Sequence, residues 1–356
     1  MPEIAQRRLA RQKIAPAEGG SAAAVVAHLG AMQAQDYTSA LWAIGLRAGV
    51  TQQAVEVAIA SGEIVRTWPM RGTLHFVAAV DAHWMLELLT PRILSGAAKR
   101  AEQLGLDANT LARGRAVCEQ SLGKGRQLTR PALLAAFEAA GIATGAQRGY
   151  HILWRLAQER LICFGPRVGK QPTFVLLDEW VPRPNPLARA EALRKLARRY
   201  FASHGPATIE DFVWWSGLKV TEARSAIEAA ELARETIEGV AHWTDGREVV
   251  RANDEPAAHL LPAFDQYLLG YRDRSAVLEA EHSGKVTPGN NGIFMPTIVL
   301  NGRVAGVWKR VVKPQSVTLM ASPFRAFTKT AQGAISASAQ RYAAFLELPI
   351  EVKFGS

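Results

Sequence analysis

At 356 residues the chain is long enough for two or three domains around a sizeable core. Hydrophobic residues make up 48 %, but no apolar run reaches the roughly 18 residues that a membrane span needs, and the basic start (Arg7, Arg8, Arg11, Lys13) leads into no secretory apolar stretch. Two isolated cysteines, Cys118 and Cys163, exclude a disulfide framework or a zinc site, so the expectation is a cytoplasmic, nucleoid-associated protein without metal or cofactor. The net charge of +10 fits a nucleic-acid binder, although a merely basic solvated surface gives the same balance.

In chain order, apolar spacing predicts helices over Ile4–Lys13, Ser21–Met32, Thr38–Arg47 and Thr51–Ser61. The segment Ile64–Met70 reads as a strand, Arg71-Gly72 as a turn, and Thr73–Val77 as the returning strand. Helices followed by a β-hairpin describe a winged helix. The pattern recurs. After a connecting helical region over Asp81–Gly105, broken at Pro91, helices at Thr110–Leu122, Thr129–Ala140 and Ala146–Arg160 lead into Leu161–Phe164, a Gly165-Pro166 turn and Thr173–Leu177. Pro182, Pro184 and Pro186 mark a boundary. A third copy has helices at Leu187–His204, Thr208–Ser216 and Lys219–Ala230, then strands at Ala233–Ile237 and Val240–Thr244.

Beyond residue 250 the pattern turns strand-like. Leu260–Asp265 and Thr297–Leu300 read as strands, Asn301-Gly302 as a hairpin turn, Val304–Trp308 and Ser316–Met320 as further strands, and Thr328–Leu346 as a terminal helix, with a mobile Gly/Asn-rich loop over Gly284–Gly292. The expected fold is mainly α with β-hairpin wings, an α+β architecture of three tandem winged-helix units and a small β-rich closing domain. The expected divisions are 1–80, 81–184, 185–250 and 251–356.

One stretch stands apart. In Met32-Gln33-Ala34-Gln35-Asp36-Tyr37, two glutamines two residues apart would diverge on a helix but point the same way in extended chain. The flanking helices place them at a junction, where Asp36 or Thr38 can cap the next helix. Paired amides there either satisfy backbone groups or line a site. This stretch, with Arg66-Thr67-Trp68-Pro69-Met70-Arg71-Gly72-Thr73-Leu74-His75, resembles the winged-helix AlkZ-like DNA glycosylases. Phe264–Arg274 and Asn301–Arg310 resemble the family too, so the likeness covers nearly the whole chain.

In that family a Gln-x-Gln element is the catalytic motif, which Gln33 and Gln35 match. The resemblance implies a monofunctional glycosylase acting on cationic N-alkylpurines in duplex DNA, some members unhooking interstrand crosslinks. Gln-x-Gln members are associated with self-resistance to genotoxins. An amide carbonyl can hold the attacking water and face an oxocarbenium ion without taking a proton. Water positioning goes to Gln35 and oxocarbenium or water orientation to Gln33, the two roles being exchangeable. Asp36 is either a cap or a carboxylate base. Arg66, Trp68, Arg71 and His75 on the first hairpin are candidate DNA contacts, as are Arg148, Arg272, Arg274, Lys309 and Arg310. Against these stand a core role for Trp68, a structural role for His75, and ion pairs for the cations. The chain is expected to act as a monomer. The rival reading is a winged-helix DNA-binding transcriptional regulator without chemistry.

Overall fold

The computed structural model describes residues 2–15, 19–181, 183, 185–247, 257–290 and 292–355. The expected boundary residues Pro182 and Pro184 lie outside them, as do the opening residues 251–256 of the expected closing domain. The fold is mixed α and β, and the chain divides into two compact units, Val57–Leu193 and the remainder, Met1–Glu56 with Arg194–Ser356.

In the unit Val57–Leu193, strands Ile64–Met70 and Thr73–Ala78 form the first hairpin and Ile162–Val168 and Gln171–Leu176 the second. Expected as wings of successive modules, the two hairpins are joined edge to edge, with Arg66 opposite Phe164, and the short strand Leu128–Thr129 continues the sheet beyond Gln171–Leu176. Helices Ala108–Leu122, Arg130–Ala139 and Arg148–Gln158 supply Cys118, Leu133, Phe137, Ile152 and Leu153 to a core that the sheet completes with Trp68, Phe164 and Phe174. Two local expectations fail here. Pro91 lies inside the continuous helix Ala79–Gly96 rather than breaking it. The hydroxyl of Thr90 there bonds the Leu86 carbonyl at 2.7 Å. The expected turn at Gly165-Pro166 is strand, and the chain reverses at Gly169-Lys170.

In the other unit, helices Pro2–Arg11, Ala22–Leu29 and Tyr37–Ala48 precede the junction with Val57–Leu193. Helices Arg189–His204 (its first turn assigned to the other unit), Ile209–Ser216 and Val220–Ala229 lead to the two-stranded hairpin Ala233–Ile237 and Val240–Thr244. The five-stranded sheet runs Ile350–Phe354, Ser316–Pro323, Arg303–Lys313, Thr297–Leu300, Ala258–Leu261 in spatial order. Ile350–Phe354 is parallel to Ser316–Pro323 and is reached through helix Lys329–Leu346. The segment expected as strand to Asp265 leaves the sheet at Leu261, because Asp265 caps a one-turn helix, Gln266–Leu269, by accepting from the Tyr267 amide at 2.9 Å. Over Gly284–Gly292 the expected loop contains helical turns at Ser283–Val286 and Pro288–Asn290.

Helix Tyr37–Ala48 is buried along nearly its whole length. Trp42 donates to the Leu260 carbonyl at 2.7 Å and packs on Tyr342 and Phe345 at 4.9 and 5.0 Å. A Cβ at Gly45 would meet the Phe345 ring at 2.4 Å, so only glycine lets the two helices approach this closely. Near the helix's end the guanidinium of Arg47, fully buried, forks onto Asp265 at 2.9 and 2.8 Å and also donates to the Gln12 backbone and side-chain oxygens. Removing one partner of a buried pair strands the other. Asp265→Ala is therefore expected to lower unfolding free energy by about 3–5 kcal/mol, measured by urea denaturation.

Burial drives several histidines far below their usual range. His75 falls to about 3, with the Arg71 charge adding to the effect, His204 to about 3, and His259 to about 4. The folded value lies under the unfolded value of about 6.5, so unfolding takes up protons between the two. Stability is full above about pH 6.5 and is lost as pH falls toward the folded values. Thermal melts are expected to shift down by several degrees from roughly pH 7 to pH 5.

Candidate active site

Helix Ala22–Leu29 ends at Gly30, whose φ of 80° and ψ of −61° turn the chain out of the helix while its amide bonds the Val26 carbonyl. A side chain there would also press on Arg199 at 3.1 Å. The chain then runs extended, with a short strand at Met32–Gln33, and re-enters helix at Tyr37. The helix-to-helix junction expected for the two glutamines is present. Ala31, Met32 and Ala34 are buried and anchor the segment, while Gln33 is half-buried and Gln35 exposed. The side-chain carbonyl oxygen of Gln33 is itself buried and has no hydrogen-bond partner among the described residues. An orphaned buried acceptor is costly and rare in native proteins.

Asp36 caps the following helix. Its carboxylate accepts from the Ser39 amide at 3.1 Å, the Ser39 hydroxyl at 3.0 Å and the Thr38 hydroxyl at 3.0 Å. A carboxylate holding three donors is poorly placed to take a proton from water. The geometry favours the cap over the base.

The cationic candidates separate by what their side chains already touch. In the unit that holds the glutamines, Lys309 and Arg272 are exposed. Arg310 donates to Thr38 at 2.9 Å. Arg274 is committed internally. It donates to the Leu268 carbonyl at 2.9 Å, lies over the Trp214 and Phe294 rings, and its burial holds its basicity below the usual value.

In the other unit, Arg148 donates to the carbonyls of Ala143, at 3.0 Å, and of Leu104. Its guanidinium ties loops to the start of helix Arg148–Gln158 instead of standing at a recognition surface. Trp68, proposed to lie against bases, is buried in the core between Tyr150 and Phe164. Apolar packing claims the ring, and the expectation of a DNA-stacking tryptophan is corrected. Arg66 lies over the Phe164 ring at 5.0 Å, and Arg71 is half-buried at the turn. His75 is buried and neutral. Its Nδ1 donates to the Thr73 carbonyl at 2.9 Å, which leaves Nε2 as an acceptor, and among the described residues neither Nε2 nor the hydroxyl of the cross-strand neighbour Thr67 has a hydrogen-bond partner. Buried and uncharged, His75 is removed from any phosphate contact.

Residues 26–345 match the family described as DNA glycosylase AlkZ-like. The chain belongs to the AlkZ-like DNA glycosylases. The interstrand DNA cross-link repair glycosylase of Streptomyces sahachiroi is 30 % identical over 333 residues, covering 87 % of this chain and 88 % of that protein. The structure of Streptomyces sahachiroi DNA glycosylase AlkZ aligns with a TM-score of 0.81 at 26 % identity, covering 99 % of each chain. DNA is thus the substrate of this AlkZ-like chain, and among the described residues no helix is long and apolar enough to cross a membrane.

Two features of this AlkZ-like chain escaped the sequence reading. The hairpin of Arg303–Lys313 and Ser316–Pro323 extends well past Trp308 and Met320, and exposes Val311, Val312 and Met320. The β-branched pair Val311-Val312, continuing the strand pattern past Trp308 between Arg310 and Lys313, was the available signal. Glu279, Glu281 and His282 gather their ligand atoms within 4.8 Å of one another. Arg325 bridges both carboxylates at 3.2 and 2.7 Å, so guanidinium already supplies the charge that a metal ion would bring.

The cap assignment is testable. Asp36→Asn keeps a capping oxygen but removes the carboxylate. Base release from alkylated duplex DNA is expected to fall less than about tenfold, against the roughly hundredfold or greater loss that removal of a general base brings.

Proposed function

We propose that this chain is a monofunctional DNA glycosylase that hydrolyses the N-glycosidic bond of cationic N-alkylpurines, of the N7-alkylguanine and N3-alkyladenine type. The reading extends to unhooking interstrand crosslinks, the activity in the name of the Streptomyces sahachiroi relative. The observation that carries it is the buried, unpartnered carbonyl oxygen of Gln33, two residues from the exposed Gln35.

An alkylated purine already bears positive charge and departs as a neutral molecule, so the reaction asks for little acid help. As the bond from C1′ to the ring nitrogen lengthens, cationic character grows on the sugar. A fixed carbonyl dipole in a water-poor position stabilises that charge without being protonated. We assign this role to Gln33. Gln35, at the solvent edge, accepts a hydrogen bond from the attacking water and aims its oxygen at C1′. The C1′–O bond forms, the C1′–N bond breaks with its electron pair going to the base, and the water's second proton passes to solvent. Neither glutamine can form an imine with the sugar, so cleavage stops at the abasic site. Neutral lesions, which need a proton on the leaving base, are poor substrates on this reading.

The DNA-binding frame in this proposal is three helix-then-hairpin modules of winged-helix type and a β-rich closing part. Hairpins at 64–78, 162–176 and 233–244, each preceded by helices, support it. Arg66, Arg71, Arg272, Lys309 and Arg310 are the proposed backbone contacts. A monomer suffices for this assignment. The regulator reading is disfavoured because nothing in regulation asks for an orphaned acceptor beside a solvent-facing amide.

Incubation without metal or cofactor with duplex DNA carrying N7-methylguanine, or a nitrogen-mustard crosslink, is expected to yield free base and alkali-labile sites. Gln33→Ala and Gln35→Ala are each expected to reduce release by about a hundredfold while gel-shift affinity for the same duplex persists. Unchanged release in both variants would remove the assignment.

A further inference from the structure

We propose that Arg310 is a positioning residue for this reaction, acting through Thr38 and Asp36 on the segment that carries Gln35. The proposal rests on the function assigned above. Its physical basis is a chain of hydrogen bonds inside one unit. The strand Arg303–Lys313 is fixed at Trp308, a buried ring whose indole donates to the Leu261 carbonyl at 2.8 Å and which meets Tyr342 at 5.4 Å. Two residues on, the Arg310 guanidinium lies 5.9 Å from the Trp308 ring and 5.6 Å from the Tyr342 ring. Those faces restrict where its long side chain can go. From there Nη2 donates to Thr38 Oγ1 at 2.9 Å, and that hydroxyl in turn donates to Asp36 Oδ1 at 3.0 Å.

A hydroxyl can accept one hydrogen bond and donate another, and a cation at the head of such a chain polarises both. Asp36 also holds the Ser39 amide and hydroxyl. All three donors to its carboxylate belong to the helix it caps, and Arg310 holds one of them, Thr38, from the neighbouring strand. Gln35 directly precedes Asp36, so the direction in which the Gln35 backbone leaves the cap is set by these bonds. The reaction needs the Gln35 carbonyl placed to within a fraction of an ångström of a productive pose, since small misplacements cost rate steeply. Tyr342 sits at the foot of the same cluster, and its burial pushes its hydroxyl up to about 12, so it stays protonated beside the arginine.

Arg310 has a simpler alternative role as a phosphate contact alone, and Thr38 separates the two. Thr38→Val removes the middle of the chain without changing charge. In single-turnover release of N7-methylguanine from duplex DNA, Thr38→Val is expected to lower the rate about tenfold. DNA affinity and its dependence on salt are expected to match the wild type. Arg310→Met is expected to lower both rate and affinity, and the double variant to be no slower than Arg310→Met, because both changes cut one chain. Thr38→Ser, which retains the hydroxyl, is expected to recover most of the rate and so exclude a folding defect in Thr38→Val. A full rate in Thr38→Val, or rate losses that multiply in the double variant, would overturn the relay. If Gln33→Ala and Gln35→Ala are inactive while Thr38→Val keeps the full wild-type rate, only the relay falls. A wild-type protein that frees no alkylated base overturns the reading of the site and the relay with it.

Discussion

The buried fork between Arg47 and Asp265 constrains more of this molecule than any other contact. A guanidinium with no access to water is tolerated only when its donors are matched, and here they are met by both oxygens of Asp265, two oxygens of Gln12 and the Ala43 carbonyl. Each acceptor comes from a different piece of chain, so the pair decides where the first helix ends, how helix Tyr37–Ala48 lies, and where the chain leaves the five-stranded sheet. Asp265 simultaneously caps Gln266–Leu269, and the residues after it continue the same network. Gln266 accepts from Trp215 at 3.2 Å, and Tyr271 accepts from Gln12 at 3.0 Å while donating to the His204 carbonyl at 2.7 Å. The run Phe264–Arg274, one of the stretches that resemble the family, is thus an internal brace. Its consequence for the site is indirect and strong, because it fixes the helix whose first turn follows the glutamines.

A rigid helix start matters to amide chemistry more than to chemistry done by a carboxylate or histidine. A general base tolerates some play, since proton transfer supplies a driving force of its own. A neutral carbonyl contributes only through the direction and dryness of its dipole. In the role we propose for the glutamines, burial of the Gln33 oxygen would supply the dryness, and the three-donor cap on Asp36 the direction while occupying that carboxylate. On the mechanism we propose, the arrangement suits a leaving group that already carries its charge and offers little to a neutral one.

What the sequence disclosed follows the range of the interaction involved. Local chemistry was legible. Asp36 caps its helix, the hairpins turn at Arg71-Gly72 and Asn301-Gly302, and the strands Ala233–Ile237 and Val240–Thr244 lie where they were expected. The glutamine junction was legible for the same reason, because side-chain direction in extended chain is a local rule. Partners distant in sequence were not. The joining of the two hairpins depends on an Arg66–Phe164 pairing across nearly a hundred residues, and no propensity encodes it. Trp68 was weighed as a DNA contact because its neighbours are arginines, whereas its ring follows the apolar side of the strand. The strand Ile350–Phe354 had a visible apolar–charged alternation, but its parallel partner lies beyond an 18-residue helix.

Net charge carries the same lesson about range. An excess of ten positive charges suggests a surface made for phosphate, yet several arginines never reach that surface. Arg8 is buried over the Tyr271 ring and donates to the Pro206 carbonyl at 3.1 Å; Arg11 bonds Asp245 and the carbonyls of Ala202 and Arg247. Arg47, Arg148 and Arg274 likewise bond carbonyls or a carboxylate within the fold. Arginine suits this work because its planar fork satisfies several oxygens at once and desolvates more readily than an ammonium group. These side chains count toward the formal charge and contribute to the long-range field, but they cannot release counterions from a phosphate that they do not touch. On the reading proposed above, phosphate contact comes from cations whose head groups remain near solvent, and among the proposed contacts Arg272 and Lys309 are exposed. Lys309 lies on the long hairpin strand that also carries Arg310, so on that reading one strand both faces DNA and braces the glutamine segment.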